Sequence, residues 1–425
     1  MATHPTALRK HLGLSDLLFF GITHILGSGA VNLVAPTVYA AGSTYPAVIG
    51  GVTALLLGSS TTFAGAIREH GTNNSVQKLI QEQIGSAGQV LGTGAYLLYN
   101  VFAIALGLVF ITRIFCADRG SAFQIMVAIQ LVIAMVVVAA YGIDVNKTII
   151  DSAGAFYILL LVGVGLAAVW AVVGKGTYVP NLGTAVGGET HNIGRAILYV
   201  FFILAGFDVL MTFTEETKDT EDVGRAFNRS IGLSAVILLG CVFAFTVFVP
   251  LRGRADTLMS SPNFIGDIVS ALYGTEERAW ANWLVAGFIL AACFVQFVGT
   301  SRWIYSGATG WADGLRTLNS AAAPHKIIMG LGAVITAVIA INNVDRLVGF
   351  ADIFLVVLMA LVGWSAARRV WTSGAGTSGA GTSGAEKAGE RVPWVESGTT
   401  LGLFGVLWLA IKEVWNGSGG SWVPE

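Results

Sequence analysis

Eleven stretches of this 425-residue chain are each long and apolar enough to cross a bilayer, which leaves it very few folds. They lie near 15–41, 44–67, 86–114, 121–141, 150–174, 192–213, 225–250, 280–306, 325–342, 345–368 and 398–415, and are numbered spans 1 to 11. In lipid every backbone N–H and C=O must find its partner inside the chain, so only helices and closed barrels span. Unbroken apolar runs of this length, without alternation, specify helices. An all-α membrane bundle of about 11 transmembrane helices is therefore expected. Composition agrees: 54% of residues are hydrophobic and 12% charged, against roughly 25% charged in soluble domains.

A net charge of −1 gives no basis for nucleic-acid binding. Three cysteines make neither a disulfide framework nor a metal site. No Ser/His/Asp grouping, metal-ligand spacing or phosphate loop stands out, so no enzyme, metal or cofactor is expected. The first residues lack the pattern of a signal peptide, so span 1 is expected to remain in the mature protein. With the N-terminus in the cytoplasm, fifteen of the 24 Lys and Arg fall inside and nine outside, which favours that orientation. The address expected is the plasma membrane. Residues 372–385 repeat a Gly/Ser-rich unit, the signature of a flexible linker. Residues 74–85 carry apolar positions at helical spacing and are expected as a short surface helix.

Span 1 contains GITHILGSGA, residues 21–30. Gly27, Ser28 and Gly29 lower helix propensity by about 2 kcal/mol relative to alanines. A helix broken at mid-depth exposes N–H groups and a positive half-helix end, which suits a carboxylate. Close packing of an intact helix through Gly-x-Gly explains the motif equally well. Span 6 supplies a second interruption at Gly206, flanked by Phe201, Phe202 and Phe207 and followed by Asp208. Paired interruptions at corresponding positions of two halves point to a transporter binding site.

Four ordered motifs carry a family resemblance. GITHILGSGAV in span 1, FFILAGFDVLMTFTEETKD in span 6, SRWIYSGATGWADGLRTLNSAAAPHK after span 8 and YGIDVNKTIIDSAGAF between spans 4 and 5 resemble the amino acid–polyamine–organocation permeases with the LeuT-type fold. The resemblance implies a five-plus-five inverted repeat with discontinuous spans 1 and 6. It divides the chain into an N-terminus (1–14), a first repeat (15–174), an external loop (175–191), a second repeat (192–371), a linker (372–396) and a peripheral span 11 (397–425). It implies a pocket lined also by spans 3, 8 and 10. Gly27, Ser28 and Gly29 would bind a substrate carboxylate, and carbonyls around Phe202, Ile203, Ala205 and Gly206 would receive the amine. Phe202 would be the aromatic lid. The chain departs from the family pattern at Ile203 and Leu204, at Thr23-His24, in lacking a lysine between Ile150 and Val173, and in showing eleven spans where twelve are common.

Individual residues keep two readings each. His24 is either a proton-coupling group, one turn before the break, or a packing histidine facing span 5 or span 8. Asp208 either contacts a substrate amine or pairs with a neighbouring span. Glu215 and Glu216 read as inner-gate or solvated charges. Cys116 lies where some exchangers of the resembled family bond an accessory subunit, but a lone cysteine is more often free. Polar positions at Tyr96, Tyr99 and Asn100 in span 3, and at Gln296 and Thr300 in span 8, either line the pocket or bond between helices. The function expected is secondary transport of amino acids by alternating access, as permease, symporter or antiporter, with lipid, substrate and a coupling proton as partners. A polyamine or organic-cation carrier is the alternative within transport. A non-transporting sensor or assembly subunit is the alternative of another class.

Overall fold

The computed structural model describes residues 8, 10–116, 118–174, 192–249, 263–274, 278–308, 314–374 and positions 402, 405, 406 and 408. The external loop 175–191, nearly all of the linker and most of span 11 lie outside the described residues. Among the described residues the chain is helical, with one isolated bridge between Leu12 and Thr217.

Span 1 is two helices, Leu14–Ile25 and Ser28–Ala41, parted at Leu26 and Gly27. Span 2 is Tyr45–His70, followed by the surface helix Ser75–Ile84. Spans 3, 4 and 5 are Ser86–Cys116, Ser121–Ala139 and Ile143–Val169, the last continuing as a π-helical turn over Trp170–Gly174. Span 6 is an α-helix over Ile193–Leu204 that tightens to a 3₁₀-helix over Ala205–Glu216. Spans 7 to 10 are Thr220–Phe248, Arg278–Gly307, His325–Ile339 and Val344–Gly374. Among the described residues eight helical runs are long and apolar enough to cross a membrane, and this is an integral multi-pass membrane protein.

Two boundaries and one helix differ from those expected. Span 5 starts at Ile143, seven residues early, because Gly142 ends the preceding turn at φ +91 and Asp144 favours a helix N-terminus. The helix of span 10 runs to Gly374, into the stretch read as linker. A helix at Phe264–Tyr273 was not foreseen, since ten residues are too few for a span. It buries Phe264, Ile265 and Val269 and is capped by the Asn263 side chain, which accepts from the Gly266 N–H at 3.0 Å.

Burial sorts the spans. Inside the bundle lies 89% of the apolar window of span 6 and 83% of that of span 8, against 22% for spans 4 and 5. Spans 6 and 8 are therefore central, while spans 4 and 5 turn Ile133, Val137, Leu159 and Leu166 outward, as lipid contact requires. Two of the quoted motifs meet at one end. Asn319 after span 8 donates to the Ala140 carbonyl at 2.7 Å. A Cβ on Gly142 would stand 2.3 Å from the Ala321 carbonyl oxygen, so this turn accepts only glycine.

Candidate functional site at the paired helix breaks

The two interruptions face each other inside the bundle. A Cβ added at Gly29 would lie 3.1 Å from the Cα of Ile203 and 3.5 Å from the ring of Phe202. One added at Gly206 would lie 2.9 Å from the His24 ring and 3.4 Å from the Cα of Ile25. One added at Gly27 would lie 2.2 Å from the Cβ of Ala292 in span 8. Glycine is thus required on both spans because backbone meets backbone there, which propensity alone does not reveal.

The break in span 1 frees backbone groups that a dry interior cannot hydrate. The Leu26 carbonyl is answered by span 5: the buried Tyr157 hydroxyl donates to it at 2.8 Å. Tyr157 is itself held by stacking on Phe288, with ring centroids 3.7 Å apart. This residue escaped sequence reasoning because its signal is one tyrosine in an apolar run. Span 5 reaches the same region at Gly154, where a Cβ would collide with the Thr23 hydroxyl.

The expected site residues are distributed as follows. Gly27 caps the second half of span 1, and Gly29 lies in its first turn. The backbone of Ser28 opens that helix, and its side chain lies outside the described residues. Ile203, Ala205 and Gly206 are buried where span 6 changes from α to 3₁₀, and Phe202 is half-buried beside Gly29. The His24 ring sits between the breaks, with Nδ1 3.4 Å from the Ala292 carbonyl of span 8. Asp208 is 1% exposed and faces the buried Tyr96 hydroxyl of span 3. Asn100 also reaches the Tyr96 hydroxyl, while the Gln296 amide nitrogen of span 8 has no hydrogen-bond partner. Spans 3, 6 and 8 therefore bring a polar cluster of Tyr96, Asn100, Asp208 and Gln296 into the bundle interior, where buried polar groups are held by one another. Thr300 and Ser301 in span 8 instead donate to carbonyls of their own helix, at 2.7 Å each.

Glu215 and Glu216 differ from each other. Glu215 accepts from the Asn73 N–H at 3.3 Å and from the Ser306 hydroxyl, tying the end of span 6 to the loop after span 2 and to span 8. Glu216 is not a solvated charge: it is 1% exposed and faces the wholly buried Arg302 at 3.4 Å. The segment before span 1 is stitched to the same place. The N–H groups of His11 and Leu12 donate to the Glu216 carbonyl, and Lys218 N–H returns a bond to the Leu12 carbonyl. Lys147 of span 5 holds Asp16 at 2.9 Å. The end of the bundle carrying the N-terminus is thus closed by ion pairs and strand-like bonds. Cys116, Cys241 and Cys293 are free and buried.

The transporter MhsT, solved in complex with L-phenylalanine, superposes with a TM-score of 0.67 at 14% identity, over 95% of this chain and 99% of that one. The fold is LeuT-type. Two mycobacterial proteins, each described as an uncharacterized transporter, are similar in sequence: one from Mycobacterium tuberculosis (strain ATCC 25618 / H37Rv) and one from Mycobacterium bovis (strain ATCC BAA-935 / AF2122/97). Each is 23% identical over 379 residues, covering 85% of this chain and 81% of the relative. No family model matches. In a LeuT-type fold spans 1 and 6 are equivalent members of the two five-span halves, which accounts for their facing interruptions here.

Proposed function

We propose that this chain is a secondary transporter of amino acids, a member of the amino acid–polyamine–organocation group, working by alternating access. The observation that carries the reading is the direct apposition of the break in span 1 and the α-to-3₁₀ junction in span 6, Gly29 against Ile203 and Gly206 against His24, inside a LeuT-type bundle. Half-helix ends there offer N–H groups to a carboxylate and carbonyls to an amine. Gly27, Ser28 and Gly29 take the carboxylate, the backbone of Ile203, Ala205 and Gly206 takes the amine, and Phe202 covers the site. Similarity to proteins described as transporters, and to one solved with an amino acid, supports the same conclusion. The closed end bearing Glu215, Glu216 and Arg302 serves as the inner gate.

A polyamine or organic-cation substrate is the second reading, favoured by Asp208, a carboxylate buried at 1% exposure just after the span 6 junction. Such a group attracts an ammonium. Uptake of labelled amino acids into proteoliposomes, with neutral amino acids and putrescine as competitors, tests both. Competition by neutral amino acids supports the first reading, competition by putrescine alone supports the second, and uptake of neither class removes both.

A further inference from the structure

Span 2 ends in Arg68-Glu69-His70 and reverses at Gly71, which takes a left-handed φ of +61. The chain then folds back as the surface helix Ser75–Ile84, and this return sets Glu82 against His70, with Nε2 to Oε1 at 3.6 Å. A carboxylate oxygen of Glu69, a ring nitrogen of His70 and a carboxylate oxygen of Glu82 all lie within 4.8 Å of one another. Nε2 is shielded from solvent and makes no hydrogen bond. The imidazole Nε2 thus stands buried between two carboxylates, 3.6 Å from one of them.

We propose that Glu69, His70 and Glu82 form a binding site for a divalent transition metal of the zinc class. A tetrahedral ion with bonds of about 2.0–2.2 Å sets its ligands about 3.4 Å apart, so the His70–Glu82 pair already stands near that spacing. The remaining closure is at most about 1.4 Å, within reach of glutamate side chains that are both exposed. One imidazole with two carboxylates and an open fourth position for water is a zinc-like donor set. Magnesium and calcium prefer all-oxygen shells of six or more ligands, which three side chains do not supply. Glu69 is also held by Arg369 of span 10 through both oxygens. A carboxylate can keep one oxygen on the guanidinium while the other turns to the metal. The ion would then join the end of span 2 to the surface helix, which packs against spans 3 and 10.

The chain has six histidines, and its three cysteines are all buried, so an added metal reads this cluster with little competition from thiols. The test uses the tag-free full chain in detergent, stripped with chelator, and titrated with Zn²⁺, Co²⁺, Mg²⁺ and Ca²⁺ by calorimetry and thermal unfolding. Expected are one zinc per chain at micromolar affinity, a raised Tm, a visible Co²⁺ absorption band, and no response to Mg²⁺ or Ca²⁺. Glu82→Gln lies on an exposed helix face and should weaken zinc binding by about tenfold or more. His70→Ala should abolish the Co²⁺ band, while His11→Ala should leave both unchanged. Should His70→Ala fail to fold, Glu82→Gln carries the test alone. Zinc affinity no better than millimolar, or affinity unmoved by Glu82→Gln, overturns the site.

Discussion

At Gly29 there is room for a hydrogen and little else, since even a methyl group would press on the Ile203 backbone at 3.1 Å. Gly29→Leu should insert into the membrane at normal levels yet lose uptake, because the leucine drives the two breaks apart where a substrate must sit. Insertion is read by the amount of protein in purified membranes, and normal uptake would remove Gly29 from the site. Phe202 is half-buried, so its loss opens the site more than it hollows the core. Phe202→Ala should raise the apparent KM for substrate about tenfold, the equivalent of roughly 1.4 kcal/mol, with near-normal thermal stability; unchanged kinetics would show that it is not a lid. Arg302 is the largest fully buried side chain, and its charge is answered by Glu216. Removing one partner strands the other in a dry interior, so Glu216→Gln should destabilise by about 3–5 kcal/mol. The double variant Glu216→Gln with Arg302→Met should recover much of that loss in thermal unfolding.

The interruptions behave as elements only because neighbouring helices complete them. Span 1 can end at Ile25 and restart at Ser28 because Tyr157 of span 5 bonds the freed Leu26 carbonyl. Tyr157→Phe should leave that carbonyl unmet, at a cost of about 1–3 kcal/mol, and should slow transport more than it lowers the amount of folded protein. Uptake and thermal unfolding measured on the same preparation separate the two effects; equal losses would mark Tyr157 as a plain packing residue. Span 5 thus offers the break a hydroxyl donor, Tyr157, in place of a lysine.

For the whole molecule, the alternating-access cycle proposed above rocks spans 1, 2, 6 and 7 against the rest, which means releasing the contacts between the two bodies at the closed end. Asp16 of span 1 must leave Lys147 of span 5, and Glu215 and Glu216 of span 6 must leave Ser306 and Arg302 of span 8. A coupling ion must favour one side of that exchange by differential binding. His24, whose ring touches both the span 6 break and span 8, is the titratable group best placed for it. Uptake should therefore respond to an imposed proton gradient and not to a sodium gradient, and His24→Ala should flatten the pH profile. Proteoliposomes with each gradient imposed in turn check this. Sodium-driven accumulation, or an unaltered profile in His24→Ala, would place coupling elsewhere.

The amino-acid sequence by itself determined the class of this protein, because a bilayer accepts only segments that satisfy their own backbone, and apolar length is written residue by residue. It also determined where the helices weaken: Gly27 to Gly29 and Gly206 are local statements about backbone freedom, and the breaks fall at Leu26–Gly27 and Ala205. Only the tertiary structure decided what those weak points meet. That Gly206 abuts His24, that Glu216 is buried against Arg302 while Glu215 ties three segments together, and that Tyr157 reaches Leu26 across 131 residues are consequences of packing. The reason is physical. Helical propensity and hydropathy act within a few residues, whereas partners for a freed carbonyl or a buried charge come from whichever helix the fold brings alongside.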